Sequence, residues 1–270
     1  MTDLAALQSA VRLMQSGKAD EAVRQLETVL AGEPDNADAL ALIGLAHAHR
    51  GESATAATYM ARALALRPRH AATQFNYGNV LARLERWADA ADAYARALEL
   101  KPDHADARRA RGHALAALKR DSDALAELNR IETDNVAALT LRAKLRSEAE
   151  QMLDALADYD RIVNLDPGNW KAWNNRGIVL DKLERYEAAL ASYDRALALE
   201  PRDDNVLHNR GAALICLQRY DEALPLFERL IACDPDRADN WSGRGLALAS
   251  LLRPEDALAR PERGLRRRGR

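Results

Sequence analysis

The stretch AWNNRGIVLDKLERYEAALASYDRALALEPRD, residues 172–203, reads as two helices laid back to back. Trp173, Gly177, Leu180 and Leu183 recur at helical spacing and put an apolar stripe on a first helix. Glu184-Arg185-Tyr186 interrupts that stripe. A second helix is predicted from about Glu187, with Ala189, Leu190, Tyr193, Ala196 and Leu197 on its inner face. Pro201 stops it, because proline cannot continue a helix. The result is a hairpin whose apolar face a single copy cannot bury.

The hairpin recurs along the chain. Ala22, Ala56, Ala90, Ala124, Ala155, Ala189, Ala223 and Ala257 fall 34 residues apart, except for one step of 31 between Ala124 and Ala155. Gly44, Gly78, Gly112, Gly177, Gly211 and Gly245 keep the same period, as do Pro34, Pro68, Pro102, Pro167, Pro201 and Pro235. A period of this length marks a stack of supersecondary units, each packed only on its neighbours. The predicted repeats are 3–36, 37–70, 71–104, 105–135, 136–169, 170–203, 204–237 and 238–260. Residues 261–270 read as a basic, disordered tail.

The fixed residues have a packing logic. Glycine in the first helix and alanine in the second are small, so two backbones approach closely there. Glycine inside a helix costs about 1 kcal/mol relative to alanine, which close packing must offset. Trp173, Tyr186 and Tyr193 are expected to fill the space around this contact in one repeat, and Tyr77, Trp87 and Tyr94 in another.

Two places depart from the pattern. The fourth repeat is three residues short, and the fifth replaces the glycine with Ala143 and carries charge in KLRSEAEQ. A local change of twist or a soft point is expected at this junction. The first repeat has Ala10 and Leu26 where others have glycine and a large aromatic, and reads as a polar cap. Near the other end, Pro254 suits a helix start and Pro261 would break a helix.

Composition narrows the function. With 30% charged residues, 5% aromatics and a net charge of −2, the chain has no global field to recruit nucleic acid or an anionic membrane. No apolar run approaches the ~18–20 residues of a membrane helix. The start, MTDLAALQSAVRLMQSG, lacks the basic region and apolar core of a secretory signal, so the cytoplasm is the expected location. Cys216 and Cys233 are predicted on different helices as inert thiols. There is no glycine-rich phosphate loop, HExxH, GxSxG or zinc-spaced Cys/His set. His47, His49 and His113 have no carboxylate or thiol at a catalytic spacing. A non-enzyme without cofactor or metal is expected. Two arginine series also recur, Arg62 to Arg263 on second helices and Arg111 to Arg244 directly before the glycine position, and the recurring acids Asp160, Asp194, Glu228 and Glu262 are expected to form neutralised pairs with arginines between adjacent repeats.

The pattern W-x2-L-G-x2-Y…A-x3-F…A-x4-P, near complete in FNYGNVLARLERWADAADAYARALELKPDH (75–104) and LHNRGAALICLQRYDEALPLFERLIACDPDR (207–237), resembles the tetratricopeptide repeat over about residues 3–260. The resemblance implies an all-α, right-handed α-solenoid superhelix of antiparallel helix–turn–helix repeats, with first helices lining a concave face. Groove-facing residues are then Asn76, Asn79, Lys171, Asn174, Asn175, Asn205, His208 and Asn209. Asn175 and Asn209 lie 34 residues apart and are expected to stack one repeat above the other. An asparagine both donates and accepts, so it can pair with a peptide amide whatever side chain that peptide bears. The series is similar to the asparagine ladder in the repeat arm of O-linked N-acetylglucosamine transferases, but Leu42, Ala110, Leu141 and Gly243 interrupt it. A carboxylate clamp of the chaperone-binding kind fits less well, since Phe75, Asn174 and His208 stand where its leading lysine belongs. The expected function is a scaffold or adaptor that binds an extended peptide or a helix of a protein partner in the groove. The alternatives are the substrate-recruiting arm of a larger glycosyltransferase of that kind, or a module that self-assembles weakly through its terminal repeats.

Overall fold

The computed structural model describes residues 3–131 and 134–251, and among these there is no strand. The chain divides into two compact units at Glu132–Thr133. The first unit holds α1 (Asp3–Gln15), α2 (Ala19–Gly32), α3 (Ala37–His49), α4 (Ser53–Leu66), α5 (Ala71–Arg83), α6 (Trp87–Leu100), α7 (Ala105–Ala117) and α8 (Asp121–Leu128). The second holds α9 (Val136–Glu148), α10 (Met152–Leu165), α11 (Trp170–Lys182), α12 (Tyr186–Leu199), α13 (Asp204–Cys216), α14 (Tyr220–Cys233) and α15 (Ala238–Ser250). Each odd-numbered helix up to α13 forms a hairpin with the next, and each hairpin packs on its neighbour within its unit. No described helix is long and apolar enough to cross a membrane.

The alanine period marks the tightest contacts. Ala22, Ala56, Ala90, Ala124, Ala155, Ala189 and Ala223 are all fully buried. The glycines face the large residue of the second helix: a Cβ on Gly78 would lie 2.6 Å from the Tyr94 ring, and one on Gly44 would lie 2.7 Å from Met60. Gly177 stands closer still to the Tyr193 ring. Tyr94 and Tyr193 therefore do fill the contact expected of them. Trp173 packs half-buried against the same core, with its Nε1 donating to the Pro167 carbonyl at 3.0 Å. The guanidinium groups of Arg176 and Arg195 stand 5.8 and 5.6 Å from its ring centroid. Gln74, Arg108 and Trp241 donate in the same way to the prolines six residues before them.

The turn inside each hairpin has a feature that the apolar stripe did not signal. One residue per turn has left-handed backbone: Gly17, Gly51, Glu85, Lys119, Glu150, Glu184 and Gln218. Only the first two are glycine, so most of the hairpins hold this strained conformation in a side-chain-bearing residue. Several first helices are capped by Asx residues, with Asn36, Asn135, Asn169 and Asp203 accepting backbone N–H bonds. Second helices start on acids such as Asp20, Glu21, Asp221 and Glu222, which suit the helix dipole.

The short fourth repeat ends in the short helix α8, of eight residues where the other second helices have 14. The division between the two units follows immediately. Ala143 is fully buried in the glycine position of the fifth repeat. One charge cluster of that repeat is internal: Arg142 Nε and Nη2 donate to Asp158 at 3.0 and 2.6 Å, and Arg146 Nη1 donates at 2.7 Å, while Lys144, Glu148 and Glu150 are exposed. Ala257, Pro254, Pro261, Arg263 and the 261–270 tail lie outside the described residues.

Candidate functional site

Within each unit, successive first helices touch: α1 with α3, α3 with α5 and α5 with α7, then α11 with α13 and α13 with α15. Successive second helices make no comparable contact. The first helices therefore lie on the inner side of each unit's curve, and their free faces are the candidate site.

In the second unit this face is rich in amides. Asn209 Nδ2 donates to Asn174 Oδ1 at 3.1 Å, linking α13 to α11. The contact expected between Asn175 and Asn209 is thus made diagonally, one residue off. Asn175 instead neighbours the Tyr159 side chain of the preceding hairpin. Burial pushes the Tyr159 hydroxyl up to about 12. Asn175 and Tyr159 share a depression of about 260 Å³ with Lys144, Ser147 and Glu148. His208 Nδ1 lies 2.9 Å from Asn240 Oδ1 of α15, and its ring meets Phe227 edge-on. Asn205 is exposed and accepts from Arg237 Nη1 at 3.1 Å. Lys171 is exposed, with its Nζ 5.5 Å from the Trp170 ring centroid. Asn174, Asn175, Asn205, His208 and Asn209 thus all lie on two adjacent first helices. Among the described residues, the Asn174 N–H pair and the Asn209 carbonyl have no protein partner. The amide series stops at Gly243 for a steric reason: any Cβ there would strike the Phe227 ring.

In the first unit only Asn76 and Asn79 represent the series. Asn79 accepts from the Tyr94 hydroxyl at 2.9 Å and so serves its own hairpin. Asn76 lies at the edge of a trough of about 560 Å³. Leu4, Leu7 and Val11 from α1 and Ala41, Leu42 and Leu45 from α3 form its apolar walls, with Met60, and Gln8, Arg12, Asp38, His70 and Thr73 also line it. Leu4 is 70% exposed. The polar cap expected of the first repeat is therefore not what α1 presents inward. Leu42, read in the sequence as a gap in the amide series, is part of this second kind of surface.

Charges around both faces are largely paired. Arg176 with Asp160 at 2.6 Å, Arg210 with Asp194 at 2.7 Å and Arg244 with Glu228 at 3.6 Å join consecutive hairpins, as their spacing implied. Arg111 and Arg142 pair inside their own hairpins instead, with Glu127 and Asp158. Cys216 and Cys233 are free and exposed on different helices. Among the described residues, no group of three or more His, Cys, Asp or Glu side chains is placed to hold a metal ion.

Sequence profiles described as tetratricopeptide repeat match residues 7–71, 51–102, 75–138, 141–213 and 180–247. The chain belongs to the tetratricopeptide-repeat family. Solved structures of such proteins share the fold. YrrB, described as a tetratricopeptide-repeat protein with an unusual peptide-binding site, is 22% identical, with a TM-score of 0.62 over 68% of this chain and 96% of its own. A tetratricopeptide-repeat protein of Parabacteroides merdae is 16% identical, with a TM-score of 0.60 over 90% of this chain and 98% of its own. The C-terminal part of a repeat protein from Cytophaga hutchinsonii is 12% identical, with a TM-score of 0.73 over 88% of this chain and 98% of its own. No protein of curated function matches. In this tetratricopeptide-repeat chain, the sequence reading put the amides on first helices through the family resemblance, and α11 and α13 carry Asn174, Asn175, Asn205 and Asn209. It missed the trough, because leucines at helical spacing look the same whether they face a core or an open groove.

Proposed function

We propose that this chain is a non-enzymatic protein-interaction scaffold that receives an extended segment of a partner polypeptide on the first-helix face of its second unit. The observation that carries this reading is the Asn209–Asn174 amide pair, which holds two side chains in place while leaving a donor and an acceptor unpaired beside each other. An extended peptide brings backbone N–H and C=O groups that need partners once water is excluded. Fixed amides meet that need without regard to the peptide's side chains. Lys171, Asn175, Asn205 and His208 border the pair and supply further polar contacts. Asn76 is the corresponding amide in the first unit. Ordering a flexible segment lowers affinity, so micromolar binding is expected.

Selection of peptides from a random displayed library against the whole chain tests the reading. Selected peptides should bind the Asn174→Ala/Asn209→Ala variant roughly tenfold more weakly, as expected for two lost hydrogen bonds of modest net value. Thermal stability should hardly change, since both side chains are half-buried and serve no core. Peptides that bind wild type and double variant alike would remove this face from the site.

A further inference from the structure

We infer that the trough on α1, α3 and α5 is a second docking site, built for an amphipathic helix that carries a carboxylate beside its apolar stripe. The inference rests on the reading that first-helix faces receive partners, and it assigns to the first unit a ligand of a different kind.

The shape of the apolar surface comes first. Leu4, Leu7 and Val11 are spaced by three and four residues on α1, and Leu42 and Leu45 by three on α3, so two helical ridges border one open space of about 560 Å³. That volume lies within the range of built ligand sites. Leu4 is 70% exposed, so the wall is open to a partner rather than closed over itself.

The conformation of the occupant follows from hydrogen bonding. The trough's backbone groups belong to helices and are already bonded within them. Its polar side chains are Gln8, Arg12, Asp38, His70, Thr73 and Asn76, of which Asp38 is held by Arg67 and Thr73 by His70 Nδ1 at 2.7 Å. An extended peptide laid along the leucine and valine walls would bury main-chain N–H and C=O groups there, with only Gln8, Arg12 and Asn76 to pair a few of them. A helix arrives with those groups satisfied and presents an i, i+3, i+4, i+7 stripe that fits between ridges. The amide face of the second unit has the opposite character.

The charge on the occupant follows from the rim. Asp38 is held by Arg67 at 2.6 Å. Arg12 lines the trough, and among the described residues it has no carboxylate at ion-pair distance. A partner carboxylate next to the apolar stripe would complete it, and a partner lysine would be repelled.

Two synthetic amphipathic helices test this, both with leucine at i, i+3, i+4 and i+7, one with glutamate and one with lysine flanking the stripe. Binding to the whole chain is read by fluorescence anisotropy. Wild type should bind the glutamate peptide roughly tenfold more tightly than the lysine peptide, and Arg12→Glu should reverse that order. Leu4→Glu should weaken both by about tenfold, while circular dichroism shows an unchanged melting curve. A version with proline at the helix centre should bind more weakly still. The Asn174→Ala/Asn209→Ala variant should bind both peptides as wild type does, which separates failure here from failure of the amide face. No binding to wild type, an Arg12→Glu variant with unaltered preference, full binding to Leu4→Glu, or equal binding of the proline form would each overturn the inference.

Discussion

The two units are built from one hairpin, yet they place different chemistry at equivalent positions. The place held by Leu42 in the second repeat is held by Asn175 and Asn209 in the sixth and seventh. Tyr94 bonds to the neutral amide of Asn79, whereas Tyr193 bonds to the carboxylate of Asp181. Buried Ala93 in the first unit corresponds to buried Asp158 in the second. The repeat tolerates these exchanges because each position faces a local set of neighbours. What a position can hold is decided by those neighbours, and a residue native to one unit is not thereby acceptable in the other.

The sharpest way to break the comparison is Asp158→Ala, which installs what the first unit already has at Ala93. In the second unit the change strands Arg142, whose side chain is only 11% exposed, and takes a carboxylate away from Arg146, 18% exposed. Removing one partner of a buried ion pair costs about 3–5 kcal/mol. Urea unfolding should show a loss of that order, and a loss below about 1 kcal/mol would mean the cluster is not what holds this hairpin.

A smaller effect separates the glycine contacts. Helix propensity alone favours alanine over glycine by about 1 kcal/mol. At Gly112 in the first unit the nearest atoms to an added Cβ belong to the Leu128 side chain, at 3.0 and 3.1 Å, and the Ala124 carbonyl stands back at 3.6 Å, so Gly112→Ala should be within about 1 kcal/mol of neutral. At Gly177 the obstacle is the Tyr193 ring, which is fully buried and tied to Asp181, so Gly177→Ala should destabilise by about 1–3 kcal/mol. Thermal melts of the two variants give the comparison directly, and equal melting shifts would contradict it. In the fifth repeat alanine is native at this position: Ala143 is fully buried in the same core as Tyr159.

The gentlest test uses pH. Burial raises the Asp181 carboxyl from 3.8 to about 6, with the Tyr193 hydrogen bond pulling it down in part. The folded group holds its proton more tightly than the unfolded one. Its stabilising contribution is therefore fully present below about pH 4 and is lost as pH rises through about 6. Urea midpoints of wild type, taken relative to Asp181→Asn, should fall between those values. Asn79, the counterpart beside Tyr94, does not titrate, so Asn79→Ala should leave this slope in place. Parallel pH profiles for wild type and Asp181→Asn would sink the assignment.

Much of this was legible in the chain. The alanine and glycine periods located the contact points because close approach leaves room only for small side chains. The inter-repeat pairs of Arg176, Arg210 and Arg244 followed from repeated spacing. The left-handed turn residues were not legible, since glutamate and lysine give no signal for φ > 0 where glycine would. The second role of Trp173 was not legible either: helical spacing puts it on the core face, but does not show that its Nε1 reaches back to the Pro167 carbonyl.

The sequence by itself determined the repeat, the hairpin, the all-α class and the place of the break in period. These depend on local propensity and on which side chains are small, and both are written in one dimension. Only the tertiary structure decided which amide pairs with which, that Asn79 serves a tyrosine, and that Leu4, Leu7, Leu42 and Leu45 border open space. Those outcomes depend on distances between helices of different repeats, where a shift of one residue exchanges Asn175 for Asn174 as the partner of Asn209.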